Sequence, residues 1–482
     1  MSPLAPPAPN PARQKAIPLV ALLIVLPVFI IPAPQGVQLA TPYSADLIGV
    51  TILPLSLLLI PLVLLLSPPR RLPAAAFYAL LLFVLSAALG LMLGLFTPDA
   101  EGAPDQRLLR FAQTVAPTLY FILGYGLIST LPDARTQNRA ITALLVWCAL
   151  FVAAFTLLYA LDAAFTGTPA RFGQLSDTIG PFANPKMKRF FPMLMAVSAV
   201  VLVGALLPPA RHKPLACPWL AGPGACVLLA ALVQSWSRAA LLAALAGLAI
   251  IIWKNGRARS RPALAVASLA APLLIAAMLL GPELSFGPNA LGRSIETLAT
   301  LTGTSTLDSG DAVRLGRIAM ALEHGLFTPF GDGFRVRPQP NLDHGQMILA
   351  ENGWLDLAVR SGLIGMLCIL FLVVRPLPAL VRAARAPLAG PTAPLLLAVW
   401  VAIYGVGFFF LHLATELYFA TLFWLLLGMV WAARNPVQTL ARPHAFQHRH
   451  PPERDRLHRP RAADLVAPMG KNQRYVEPRL RQ

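Results

Sequence analysis

The chain has 482 residues, of which 56% are hydrophobic and only 12% are charged, and its formal net charge is +18. A soluble globular domain is typically about a quarter charged, so this composition excludes a soluble multidomain enzyme and a disordered chain. Four cysteines in 482 residues exclude a disulfide scaffold. The positive charge by itself fits nucleic acid, anionic lipid or membrane topology.

Apolar runs divide the chain almost from end to end into lengths close to the roughly 20 residues that span a bilayer as a helix. The runs are continuously apolar rather than alternating, which favours helices over a β-barrel. We therefore predict an all-α, polytopic integral membrane protein with about 12 transmembrane helices. The predicted spans are 17–34, 47–66, 74–96, 109–131, 140–161, 190–207, 215–233, 239–253, 263–281, 355–374, 391–411 and 417–433.

The charges predict the orientation of these spans. With the N-terminus inside, the inner segments hold 26 Lys/Arg and 5 Asp/Glu, a balance of +21. The outer segments, counted together with the outer ends of the spans, hold 13 and 16, a balance of −3. Cytoplasmic loops carry the Lys/Arg excess, so both termini are predicted to be cytoplasmic. The Pro-rich residues 1–16 and the basic tail 434–482 are predicted to be disordered. Between these two ends, residues 17–281 hold predicted spans 1–9 and residues 353–433 hold predicted spans 10–12.

One outer loop, 282–352, is much longer than the other connections. A long loop in a compact protein is more often functional than decorative. Two helix-like stretches, around 310–324 and around 343–360, are joined by a Gly/Pro-rich turn at 329–334. We therefore expect chemistry or recognition on the outer side of the membrane.

Arginines on the outer side are informative because the topology rule does not require them. Arg238 lies in a connection barely long enough to turn between two spans, and Arg314 and Arg317 are three residues apart, so they share a helix face. Three guanidinium groups at one surface suit a diphosphate, which arginine grips in a bidentate way. The alternatives are that Arg238 is an interfacial anchor beside Trp236, and that the other two pair with Asp311 or face solvent.

The cysteines show no pattern typical of a metal site or a disulfide. The cysteines lie in or beside spans, without CxxC spacing, and we interpret them as small apolar packing residues. They are Cys148, Cys217, Cys226 and Cys368. We predict neither a metal site nor a cofactor.

The end of the long loop offers two candidate proton acceptors. Glu351 lies at the edge of a span, where partial desolvation raises the pKa of a carboxyl group and makes it a stronger base. His344 is seven positions earlier and would share a helical face with Glu351 if the helix begins early. The alternative is that Asp356 and Arg360 form an i,i+4 ion pair and Glu351 is a helix-start carboxylate favoured by the dipole.

These elements resemble the O-antigen ligase and polymerase superfamily. The Ser237-Arg238 opening of a span is similar to the Ser-Arg element of that family, and so is the long loop with Arg314 and the stretch Pro-Phe-Gly-Asp-Gly-Phe at 329–334. The stretch Gly-Pro-Phe-Ala-Asn-Pro at 180–185 resembles an element common in exopolysaccharide members. The resemblance covers roughly 170–375.

The resemblance implies a bacterial inner-membrane enzyme that transfers an undecaprenyl-diphosphate-linked glycan to an acceptor hydroxyl, without a metal. The acceptor is lipid A-core for a ligase or a lipid-linked glycan for a polymerase. By this resemblance Arg238 and Arg314 would hold the donor diphosphate, with Arg317 as an additional candidate. Candidate contacts to donor or acceptor are Arg171, Asn184 and Asn352.

The sequence departs from the family in one place. The family element opens with His-Asn or His-Ser, followed after nine residues by Gly-x-x-Gly, whereas here Glu351 occupies the histidine position. Asn352, Gly362 and Gly365 fit the element. The base is therefore left open between Glu351 and His344.

Two other functions compete with the transferase. A twelve-span transporter or flippase usually places charges near the midplane in broken helices, and these spans are nearly free of such charge. A structural assembly partner would leave the outer arginines unexplained.

Overall fold

The computed structural model describes helical residues 19–22 and 25 and the segments 72–96, 104–131, 133–166, 187–206, 220–235 and 237–259. It further describes 316, 318–323, 328–334, 336–337, 346–347, 352–385, 392–411, 413–414 and 417–433. Five helices among these residues are long and apolar enough to cross a membrane. The protein is an all-α, multi-pass membrane protein, as predicted.

The described part of the chain is almost entirely helical. In chain order they are α1 (Ala74–Leu95), α2 (Pro104–Val115), a 3₁₀ turn (Ala116–Thr118), α3 (Leu119–Ser129), α4 (Ala134–Thr166), α5 (Met187–Ala205), α6 (Ala221–Gln234) and α7 (Arg238–Arg259). After the strands β1 (Val336–Arg337) and β2 (Gln346–Met347) come α8 (Gly353–Val374), α9 (Leu377–Arg385), α10 (Thr392–Trp400), a π-helix (Val401–Gly407), α11 (Phe408–Phe410) and α12 (Leu417–Ala432).

Nine of the predicted spans coincide with described helices, beginning with 74–96 and ending with 417–433. The run 17–34 is described only at its helical residues 19–22 and 25, and the runs 47–66 and 263–281 lie outside the described residues. The total of twelve spans and the location of the termini stay predictions.

The core is built around α12, whose aromatic residues Phe419, Phe423 and Trp424 are buried. The Trp424 indole N–H donates to the carbonyl of Ala414 at 2.9 Å, and the Tyr404 hydroxyl donates to the carbonyl of Phe423 at 2.6 Å. Buried aromatic residues need such partners for their polar tips. The Tyr404 bond ties the π-helix to the middle of α12, and the Trp424 bond ties α12 to Ala414, which precedes it.

The prediction of a helix-like stretch around 343–360 is wrong for the first part of that stretch. Gln346 pairs with Arg337, and Met347 with Val336, as an antiparallel ladder, and α8 begins only at Gly353. Strand pairing depends on the partner strand β1, which helical spacing does not reveal. Because β2 interrupts the stretch, no continuous helix places His344 and Glu351 two turns apart on one face.

Candidate functional site

The helix α8 is broken at Gly362. This residue has φ 71° and ψ 177° in the interior of the helix, a conformation that glycine adopts far more readily than other residues. A break of this kind leaves the amide groups after it and the carbonyl groups before it without their i→i−4 partners. Buried backbone groups of this kind require other partners.

The segment 328–334 supplies those partners. The N–H of Leu363 donates to the carbonyl of Thr328 at 3.2 Å, and the N–H of Ile364 donates to the carbonyl of Pro329 at 3.3 Å. In the opposite direction, the N–H of Asp332 donates to the carbonyl of Val359 at 2.7 Å. We call this arrangement the interlock: segment 328–334 replaces the hydrogen bonds that α8 loses at its break.

The other side of segment 328–334 packs against α1 through backbone contacts. A Cβ atom on Gly90 would overlap the carbonyl oxygen of Phe330, and one on Gly94 would overlap that of Gly333. The Ser86 hydroxyl donates to the carbonyl of Ser361 at 2.6 Å. The segment therefore lies between α1 and α8 with no room for additional side-chain atoms.

A layer of buried polar side chains lies beside the interlock. In this polar layer, Arg360 Nε lies 2.8 Å from Asp356 Oδ2, and Arg360 Nη1 donates to Thr114 Oγ1 at 3.3 Å. Arg107 Nη1 donates to the carbonyl of Gly94 at 2.6 Å. The members are Arg107, Gln113, Thr114, Asp332, Asp356 and Arg360, all at most 7% exposed.

The polar layer contains as many acidic as basic side chains. Its two arginines are balanced by two aspartates, and buried charges are tolerated when they are paired. The predicted i,i+4 pairing of Asp356 with Arg360 is confirmed. Arg107 does not stand out in the sequence, because a charge that precedes an apolar run resembles an ordinary loop residue.

Arg238 is the first residue of α7 and is partly exposed. The preceding Ser237 caps the helix, since its hydroxyl accepts from the N–H of Ala240 at 3.3 Å. Serine is a preferred N-cap residue. The Ser-Arg element thus combines a helix cap with a guanidinium group on the first turn.

The packing of α7 places Arg238 at one particular end of the helix bundle. Gly247 faces the carbonyl of Ala398, and further along α7 Ile251 lies with Leu395 around Gly204. The helices α7 and α10 are therefore antiparallel. The N-terminal end of α7, which carries Arg238, consequently lies on the side of the bundle towards which α10 continues as the π-helix and α11.

The same end of the bundle carries the start of α8. In α11, Phe408 packs against Trp354 with ring centroids 4.6 Å apart, and a Cβ atom on Gly353 would overlap the Phe408 ring. Arg238, the first turn of α8 and the interlock consequently lie towards one end of the bundle. The sequence predicts this end to be the outer one.

Asn352 is the N-cap of α8. Its side-chain oxygen accepts hydrogen bonds from the N–H groups of Trp354 at 2.9 Å and Leu355 at 3.1 Å. This satisfies two of the amide groups that a helix start leaves unpaired. The predicted contact of Asn352 with a substrate stays a prediction beside this cap.

We expect Asn352→Ala to destabilise the protein by about 0.5–2 kcal/mol, because the substitution removes the cap. Asn352→Asp preserves the acceptor oxygen and should retain the stability. Thermal unfolding of the two purified variants in one detergent measures the difference. An alanine variant as stable as the wild type would contradict the capping role.

Six predicted site residues lie outside the described residues. They are Arg171, Asn184, Arg314, Arg317, His344 and Glu351. Their roles remain predictions. In the part of the chain that the structure describes, no group of three or more His, Cys, Asp or Glu side chains is placed to hold a metal ion.

The part of the chain from the first turn of α6 into α8 is similar to a known protein family. Residues 223–370 match the O-antigen ligase family. The resemblance predicted from the sequence motifs is confirmed over this O-antigen ligase region, which includes Arg238, segment 328–334 and Gly362. No curated protein matches the chain, and no solved structure does. The match supports a function of the O-antigen ligase or polymerase type in polysaccharide biosynthesis.

Proposed function

We propose that the protein is a glycosyltransferase of the bacterial inner membrane, with both termini cytoplasmic. It moves an undecaprenyl-diphosphate-linked glycan, at the periplasmic face, onto an acceptor hydroxyl. The observation that carries this proposal is the placement of Arg238, which lies within the O-antigen ligase region and at the same end of the bundle as the start of α8. The acceptor is lipid A-core or a second lipid-linked glycan.

The chemistry requires charge stabilisation and one base. The acceptor oxygen forms a bond to the anomeric carbon of the donor, while the bond from that carbon to the diphosphate oxygen breaks. Arg238, Arg314 and Arg317 hold the diphosphate and stabilise its increasing negative charge, as fixed cations do for other developing anions. Glu351 or His344 accepts the proton of the acceptor hydroxyl. No metal or cofactor is required for these steps.

Further contacts orient the two glycans. Arg171 and Asn184 offer hydrogen-bond donors to the donor or acceptor sugars. Asn352 can offer its amide N–H₂ group to a sugar hydroxyl while its oxygen caps α8. A site that positions both reactants in this way converts a bimolecular reaction into an effectively unimolecular one.

One observation favours the alternative function, a transporter or flippase. Such proteins use discontinuous helices, and α8 is discontinuous at Gly362 with the buried pair Asp356–Arg360 beside it. However, the pair is neutral overall and lies within the first eight residues of α8, or roughly 10 Å from its start at 1.5 Å per residue. A coupling ion site would be expected nearer to the bilayer midplane.

Deletion of the gene in its host tests the proposal. A ligase predicts the loss of long polysaccharide from lipid A together with accumulation of lipid-linked polymer. A polymerase predicts products that carry a single repeat unit. A flippase predicts accumulation of the lipid-linked glycan on the cytoplasmic side. Surface glycans that are identical with and without the gene would contradict all three functions.

A further inference from the structure

The break in α8 divides the helix into two parts with different attachments. The outer part, 353–361, begins at the Asn352 cap and carries Asp356 and Arg360 of the polar layer. The inner part runs on from Gly362 to Val374. An uninterrupted helix would satisfy its own hydrogen bonds, whereas here Leu363 and Ile364 donate to carbonyls of segment 328–334. The direction of the outer part is therefore determined by a loop from elsewhere in the chain.

Segment 328–334 is itself held tightly. Phe334 has φ 60° and is 2% exposed, and its ring lies edge-on to Phe111 at a centroid distance of 6.0 Å. A non-glycine residue in this left-handed region is strained and persists only where the surroundings enforce it. The contacts to α1 and α2 supply that enforcement, so the segment is a rigid connection between these helices and the outer part of α8.

We propose that segment 328–334 is a positioning element of the active site. It holds the outer part of α8, and with it the start of the helix at Asn352, in a fixed orientation relative to Arg238. This inference rests on the proposed function. Arg238, Arg314 and Arg317, which we propose hold the donor diphosphate, belong neither to this segment nor to the outer part of α8, so we expect the segment to act on the orientation of α8 rather than on diphosphate binding. Misplacement of reacting groups by about 1 Å can lower a rate about a hundredfold.

The test uses Gly362→Ala in the purified full-length protein. A Cβ atom at Gly362 would overlap the carbonyl of Pro329, and alanine disfavours a φ of 71°, so the variant separates segment 328–334 from α8. Turnover with the host's lipid-linked donor and acceptor should fall at least tenfold per folded molecule. Undecaprenyl diphosphate serves as the probe of donor binding, and its affinity for the variant should stay within twofold of its affinity for the wild type.

Gly222→Ala is the matched control, because it is another glycine inside a helix and a Cβ atom there meets nothing within 4 Å. It should leave both quantities unchanged. Phe334→Leu is a milder second variant that retains an apolar anchor, and it should lower turnover about two- to fivefold. The folded fraction of each variant is determined by size-exclusion chromatography, so that turnover refers to folded protein alone.

Loss of turnover with retained undecaprenyl diphosphate binding supports the positioning role. Two results overturn it: turnover equal to wild type in both variants, or a parallel fall of turnover and undecaprenyl diphosphate affinity in folded protein, which would indicate a general structural role. A wild-type protein that transfers no glycan would overturn the proposed function itself. An active wild type with equally active variants would overturn the positioning role alone.

Discussion

Arg238→Ala should lower glycan transfer about a hundredfold or more. Removal of one partner from a desolvated charge pair typically costs 2–5 kcal/mol, and every 1.4 kcal/mol is a factor of ten. Arg238→Lys should retain part of the activity, about a tenth, because lysine supplies the charge without the bidentate geometry. The measurement is the amount of long-chain surface glycan in the deletion host complemented with each variant.

Arg382→Ala is the matched control for this experiment. Arg382 is an exposed arginine on α9, which follows the end of α8 farthest from Gly353. Its removal should leave transfer unchanged, and immunoblotting of membranes confirms equal insertion of all variants. Full activity in Arg238→Ala would contradict the proposal that this guanidinium group holds the donor diphosphate.

Asp356→Ala should strongly destabilise the folded protein. Asp356 is 0% exposed and its partner Arg360 is 4% exposed, so the substitution leaves a buried guanidinium group without its carboxylate. Breaking a buried pair on one side costs about 3–5 kcal/mol. Thermal unfolding of the purified protein in a single detergent should show a clear decrease in the melting temperature relative to wild type.

A double variant separates the buried charge from the packing. Asp356→Leu together with Arg360→Met removes both charges and restores apolar volume, and such replacements are often neutral or even stabilising. The double variant should therefore have a melting temperature closer to that of the wild type than either Asp356→Leu or Arg360→Met alone. If the double variant loses as much stability as the two single variants together, the two side chains are energetically independent, which would contradict this prediction.

The sequence predicts most of the helices because membrane spans are specified locally. A run such as 417–433 is apolar over the length that a bilayer requires, and no distant partner is needed to recognise it. Ser237 with Arg238, and the glycines at 362 and 365, were identified as motifs for the same reason. The stretch 343–360 was mispredicted in part because the pairing of Gln346 with Arg337 depends on a second strand.

The sequence alone determined the class of the protein, nine spans that coincide with described helices, and the resemblance that the match over residues 223–370 confirms. These properties follow from local composition and short motifs. The tertiary structure decided what the motifs contact: Gly362 receives segment 328–334, Arg360 donates to Thr114, and Arg238 lies at the end of the bundle where α8 begins. Such contacts join residues far apart in the chain, and their geometry depends on helix packing that no local pattern encodes.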